Sequence, residues 1–221
     1  FETLPSLDHG AFVSFLIQLG HLSAEFVKWY EQAKLHLVLE PAKKIVRRIL
    51  RDEIPAEGPT HQDLRVADLL RIGVPERIIL NSPPAKAISR TISAMYRLTS
   101  YRPPLQGENA PFSHDLEIMI SLRMFGELLP GLTYVRVVEE LEKRFAIYRH
   151  CSVFYAPHAA HDIPGGGHEQ AFISFLEESI TDEALLDLAK SRAEFAMLVR
   201  ALGYERLLNE ELAPRATPAN R

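Results

Sequence analysis

Residues 10–39, GAFVSFLIQLGHLSAEFVKWYEQAKLHLVL, decide the fold class. Phe12, Phe15, Leu16, Leu19, Leu22, Phe26, Tyr30 and Leu37 recur three or four positions apart, which lays them along one side of an α-helix. The spacing predicts one long helix over 11–39. No stretch of the chain alternates apolar and polar residues convincingly with the period of two that a half-buried strand needs.

Outward from that helix the pattern repeats. Pro41 marks a new start, and AKKIVRRILRDE is amphipathic through Ile45, Ile49 and Leu50. Pro55, Gly58 and Pro59 stop it, and Thr60 is a suitable N-cap for a short helix over 61–71. Pro84 can enter a helix running to about residue 98, and Ser113 can cap another over 114–129 that turns at Pro130-Gly131. Further helices are expected over 134–154, 168–179 and 181–202, with Gly203 as punctuation and residues 213–221 as a disordered tail. No linker or internal repeat divides the chain. The expectation is an all-α, single-domain bundle of about seven to eight helices spanning 1–212.

The bulk numbers exclude several function classes. Hydrophobic residues make up 47% and charged residues 24% of 221, with a net charge of −4 and no basic stripe for nucleic acid or an anionic membrane. Apolar runs such as GAFVSFLIQLG fall short of the ~20 residues that span a bilayer. The single cysteine, Cys151, rules out an intrachain disulfide and fits a reducing, cytoplasmic compartment.

Chemistry concentrates in FYAPHAAHDIPGGGHEQAF, residues 154–172. His158 and Asp162 are four apart, so on a helix they share a face and offer a nitrogen and an oxygen to one point. Pro164 and three glycines then break the helix before His168. Elsewhere, Glu53 ends one predicted helix and His61 opens the next across a Pro/Gly turn that can bring them together. Leu116, Ile120, Met124 and Glu127 follow steps of four, four and three, which puts a glutamate on an apolar stripe. A buried, unpaired carboxylate is costly, so Glu127 needs a cation or hydrogen-bond donors.

Each element also has a plain structural reading. Glu127 can pair with Arg123 or Arg97, Glu53 and His61 can be ordinary capping groups, and His158 and Asp162 can be a surface pair. His161 fits a surface or supporting role; His9, His21, His36, His114 and His150 have no convergent partners in sequence. Cys151, in YRHCSVF, reads as a small buried thiol, with a nucleophile as the alternative. Phe125 and Tyr155 are candidates for lining a substrate pocket. As a set, three carboxylates and three histidines suit iron or manganese better than calcium, which takes oxygen alone, or structural zinc, which favours thiolates. The Glu-x-x-His signature of ferritin-type bundles is absent.

The order of these residues resembles the heme-oxygenase-like diiron oxidases. That family's pattern is a Glu and a His seven or eight apart, a lone Glu before a leucine-proline, His-x-x-x-Asp, and a last His. Here it falls on Glu53, His61, Glu127 in GELLPG, His158, Asp162 and His168. Most of the family places its last histidine where this chain has Gly165, so the IPGGG insertion would loop out to let His168 reach the metals. The insertion and its flanks are most similar to a nitrile-forming member.

The resemblance implies a heme-oxygenase-like bundle whose six residues bind two Fe(II) ions, with O2 as co-substrate and Glu127 as the bridging, catalytic carboxylate. It implies an amino-acid substrate, tryptophan halogenated on its indole, cleaved at Cα–Cβ with nitrogen retained to give an indole-3-carbonitrile. A homodimer is the expectation from the fold family. The competing expectations are a metal-free, thiaminase-like hydrolase of the same fold using Cys151, a heme-binding relative, or a non-catalytic scaffold. Ordering of the glycine-rich arm on metal binding is a further expectation.

Overall fold

Every regular element is helical among the residues described by the computed structural model, 4–100, 110–146, 151–161 and 168–212. The all-α bundle expected from the periodicity is what forms. The expected tail, residues 213–221, and the expected loop IPGGG, residues 163–167, lie outside the described residues.

After a 3-10 turn at Leu4–Ser6, α1 spans His9–His36, opened by Asp8, whose carboxylate accepts from the Ala11 amide at 2.7 Å. It buries Phe12, Phe15, Leu16, Leu19, Leu22, Trp29 and Tyr30 and packs against α2 and α5. The helix expected to run to residue 39 stops at His36. There the amides of Val38 and Leu39 leave the helix and are held by the fully buried carboxylate of Asp115, at 2.9 and 2.7 Å. Helix α2, Glu40–Glu53, begins on Pro41 and ends where Ile54 precedes Pro55 and so leaves helical geometry. Gly58, at φ +94°, turns the chain back, and a Thr60–Asp63 capping box opens α3, His61–Arg71. Helices α4, Glu76–Asn81, and α5, Lys86–Ser100, follow.

The next expectation needs correction. Helix α6, Ala110–Ser121, does not turn at Pro130-Gly131; it passes through a π-helical turn, Leu122–Leu128, into α7, Leu129–Phe145. Pro130 falls in the first turn of α7, where a missing N–H costs least, and the π turn just before it absorbs the change of hydrogen-bond register. This rod is buried on more than one side. Leu116 and Ile120 meet Leu185 and Ala189 in a satellite cluster, while Ile118, Met119, Leu122 and Phe125 belong to the main core. Helix α7 closes at Ala146, which takes a left-handed conformation at φ 53°, so the helix expected to reach residue 154 ends earlier.

Helices α8, Tyr155–His161, α9, Glu169–Ser179, and α10, Glu183–Arg206, complete the bundle, with a π turn at Leu207–Glu211. Gly203 does not end α10; a Cβ there would overlap Thr91 Oγ1, so glycine is what lets α10 approach α5. Contrary to the sequence expectation, α1 and the rod Pro111–Phe145 are long and apolar enough to cross a membrane, but 72% of the rod's most apolar window is buried within the fold, as in the core helix of a globular protein.

Candidate metal centre

The turn between α2 and α3 folds Glu53 and His61 onto one another: Nδ1 of His61 lies 2.7 Å from Oε2 of Glu53. The expectation from the Pro/Gly turn holds, and its cause is local. Ile54-Pro55 ends one helix and the Thr60–Asp63 box starts the next within a few residues. From α8, Nε2 of His158 reaches the same nitrogen of His61 at 3.3 Å. Nδ1 of His158 donates to the Phe154 carbonyl at 2.7 Å, which fixes the proton there and leaves Nε2 as the ligating atom. One donor atom from each of Glu53, His61 and His158 lies within 4.8 Å of the others, which fits a single divalent cation.

Glu127 belongs to a second group. It sits in the π turn, 7% exposed, with neither Arg123 nor Arg97 as partner; Arg123 pairs with Glu169 at 2.6 Å. Oε1 of Glu127 accepts from the Tyr30 hydroxyl at 2.6 Å, and Oε2 lies 3.5 Å from Nδ1 of His168. The other ring nitrogen of His168 meets Oδ2 of Asp52 at 3.0 Å. Asp52 therefore orients the histidine from behind while Nδ1 faces Glu127, the arrangement in which a ligating imidazole is held by a carboxylate. Asp162, the sixth nominated ligand, lies outside the described residues, as does the side chain of His161.

A partly open cavity of about 40 Å³ is lined, among others, by Glu53, His61 and His158 of the first group and by Glu127 of the second. Its apolar walls are Leu22, Phe26, Trp29, Tyr134 and Phe154. Phe125 and Tyr155, expected at a pocket, do not line it; both are fully buried core residues. The volume takes an ion with a few waters, against roughly 300 Å³ or more for a preformed small-molecule site. A substrate the size of an amino acid must displace lining side chains to enter.

Oxygen and imidazole donors with no thiolate fit an iron- or manganese-type ion rather than calcium or structural zinc. A π turn carrying a buried carboxylate is the kind of local distortion that often marks a functional site. Cys151, expected as a small buried thiol, is instead exposed, and it lies off the cavity. Sequence reasoning passed over Asp52, Tyr30 and Arg200. Asp52 left a trace in its place beside Glu53, and Tyr30 was legible only as part of the apolar side of α1. No protein-family model matches the chain, and no curated protein sequence does.

Proposed function

We propose that the protein is a nonheme diiron, O2-dependent oxidase acting on an amino acid. The observation that carries the reading is convergence: Glu53, His61, Glu127 and His158, drawn from α2, α3, the π turn and α8, line one partly open cavity. His168 stands against Glu127 from the start of α9. Such a set would hold a ferrous pair, which would supply the electrons that reduce dioxygen to an oxidant.

The protein's own part is to hold, orient and exclude. Glu53, His61 and His158 would hold one ion, and Glu127 and His168 would hold the other; the resemblance adds Asp162 to the set and gives Glu127 the role of serving both. The Phe154 carbonyl and Asp52 fix which nitrogen of His158 and His168 is presented. Tyr30 anchors Glu127, and the walls formed by Phe26, Trp29, Tyr134 and Phe154 limit bulk water. The most specific form of the reading is conversion of a halogenated tryptophan to an indole-3-carbonitrile with the nitrogen retained. Its support is the resemblance in ligand order and in the glycine-rich insertion.

The test is ferrous titration under argon, followed by O2 exposure with and without tryptophan or a brominated tryptophan, reading metal content and the visible spectrum. The expected result is two irons per chain and a transient absorption whose decay depends on substrate. Absence of stoichiometric iron uptake would overturn the reading and return the metal-free alternatives.

A further inference from the structure

Arg200, on α10, is 3% exposed and lines the cavity that Glu53, His61, Glu127 and His158 share. Its partners are all neutral. Nε donates to the Tyr204 hydroxyl at 2.6 Å, and Nη1 donates to the Phe125 carbonyl inside the π turn. The guanidinium also lies over the rings of Phe125 and Tyr204, at 4.9 and 5.3 Å. No carboxylate among the described residues pairs with it.

The other well-covered arginines behave differently. Arg123 pairs with Glu169 at 2.6 Å, Arg144 with Glu140 at 2.5 Å and Arg192 with Glu117 at 3.5 Å. Arg65 is also buried without a paired acid, but it does not line the cavity. The two acids that do line it are engaged elsewhere, Glu53 by His61 and Glu127 by Tyr30 and His168. A guanidinium removed from water without a counter-anion is costly, and ring faces return only part of that cost. Its planar fork matches a carboxylate in two parallel hydrogen bonds.

We propose that Arg200 binds the carboxylate of the substrate and so makes the site selective for amino acids over the corresponding amines. The inference rests on the oxidase reading for its substrate class. Its geometry is its own: Arg200 grips the carbonyl of Phe125, two residues from Glu127, so one π turn joins the anion anchor to the central carboxylate. The competing role for Arg200 is to pin that turn and nothing more.

The experiment is calorimetric titration, under argon, of the protein after incubation with excess ferrous iron, using L-tryptophan and tryptamine, which differ only by the carboxylate. It is repeated on Arg200→Lys and Arg200→Gln, with iron content and circular dichroism recorded for each. Wild type should bind L-tryptophan at least about tenfold more tightly than tryptamine, the scale of losing a charge-assisted hydrogen bond. Arg200→Gln should lower L-tryptophan affinity to the level of tryptamine and leave tryptamine unchanged, with Arg200→Lys in between. If Arg200→Gln does not fold, the wild-type comparison and Arg200→Lys decide.

Equal affinities in wild type, equal weakening of both ligands in the variants, or no binding of L-tryptophan would overturn the proposal. The two readings fail separately. Two irons per chain with no preference for the carboxylate sinks only the role of Arg200. A preference that Arg200→Gln abolishes, in protein that takes up no iron, sinks only the oxidase.

Discussion

The hydroxyl of Tyr30 donates to Oε1 of Glu127 at 2.6 Å, joining residues 97 positions apart in the core of the bundle. Phe26 stacks on Tyr30 with ring centroids 4.3 Å apart, and a Cβ on Gly126 would lie 3.0 Å from the Tyr30 hydroxyl. Three elements of sequence thus agree on one hydrogen bond: an aromatic pair on α1, a glycine in the π turn, and the glutamate after it. Tyr30→Phe keeps the ring and deletes the donor, leaving a buried carboxylate oxygen short of a partner. The expected cost is about 1–3 kcal/mol in urea unfolding of the metal-free protein, with weaker iron binding besides. An unchanged unfolding midpoint would show that the bond contributes nothing.

The two groups of donors should be separable by metal content. His158→Ala removes a donor from the Glu53–His61 group and His168→Ala removes the partner of Glu127, so each should lower iron from two toward one per chain. Glu127→Ala should lower both. Asp52→Asn retains an oxygen for His168 but loses the charge behind it; affinity for one of the two ions should fall by about ten- to a hundredfold. Iron analysis after gel filtration reads all four variants. Loss of both ions from His158→Ala and retention of both by Glu127→Ala would contradict the assignment.

The site was legible in sequence where its geometry is local. Glu53 and His61 meet because a Pro/Gly turn and a capping box lie between them, and His158 aims correctly because its helix turn supplies the Phe154 carbonyl four residues back. Glu127 was legible as a buried acid but not as a residue in a π turn. Pro130-Gly131 reads as a turn, whereas α10 packs along both α6 and the π turn and the helix runs on through the proline. Tyr30 was legible only as part of the apolar side of α1, and Arg200 not at all. Their roles come from contacts across 97 and 75 positions, and an amphipathic pattern does not encode which neighbour a buried polar atom will meet. Gly203 misled for a related reason: it reads as punctuation, whereas its use is close approach to Thr91.

That last point is testable. Gly203→Ala places a methyl against Thr91 Oγ1, a fully packed position between α10 and α5, and should destabilise the fold by about 2 kcal/mol. The double variant Gly203→Ala with Thr91→Ser removes the nearby methyl and leaves a smaller side chain to shift. It should recover part of the loss. If Gly203→Ala unfolds at the wild-type denaturant midpoint, the helices have room that this packing denies them.

A pH effect separate from the metal ligands is expected at His21 on α1. Its imidazole is half-buried with Nε2 unpartnered, and burial, reinforced by the nearby Arg65 guanidinium, holds its pKa below the usual 6.5. A backbone hydrogen bond at Ser82 and the Glu25 carboxylate oppose this without reversing it. The folded state therefore binds the proton less readily than the unfolded chain, so His21 contributes stability that is present above pH 6.5 and is lost as pH falls through the lowered pKa. His21→Gln cannot take up that proton. Across the interval from neutral pH down to about 5, the wild type should lose more stability than His21→Gln in urea unfolding of the metal-free protein, although other groups titrate in both. Parallel curves for the two proteins over that interval would mean that His21 is as easily protonated in the folded bundle as in water.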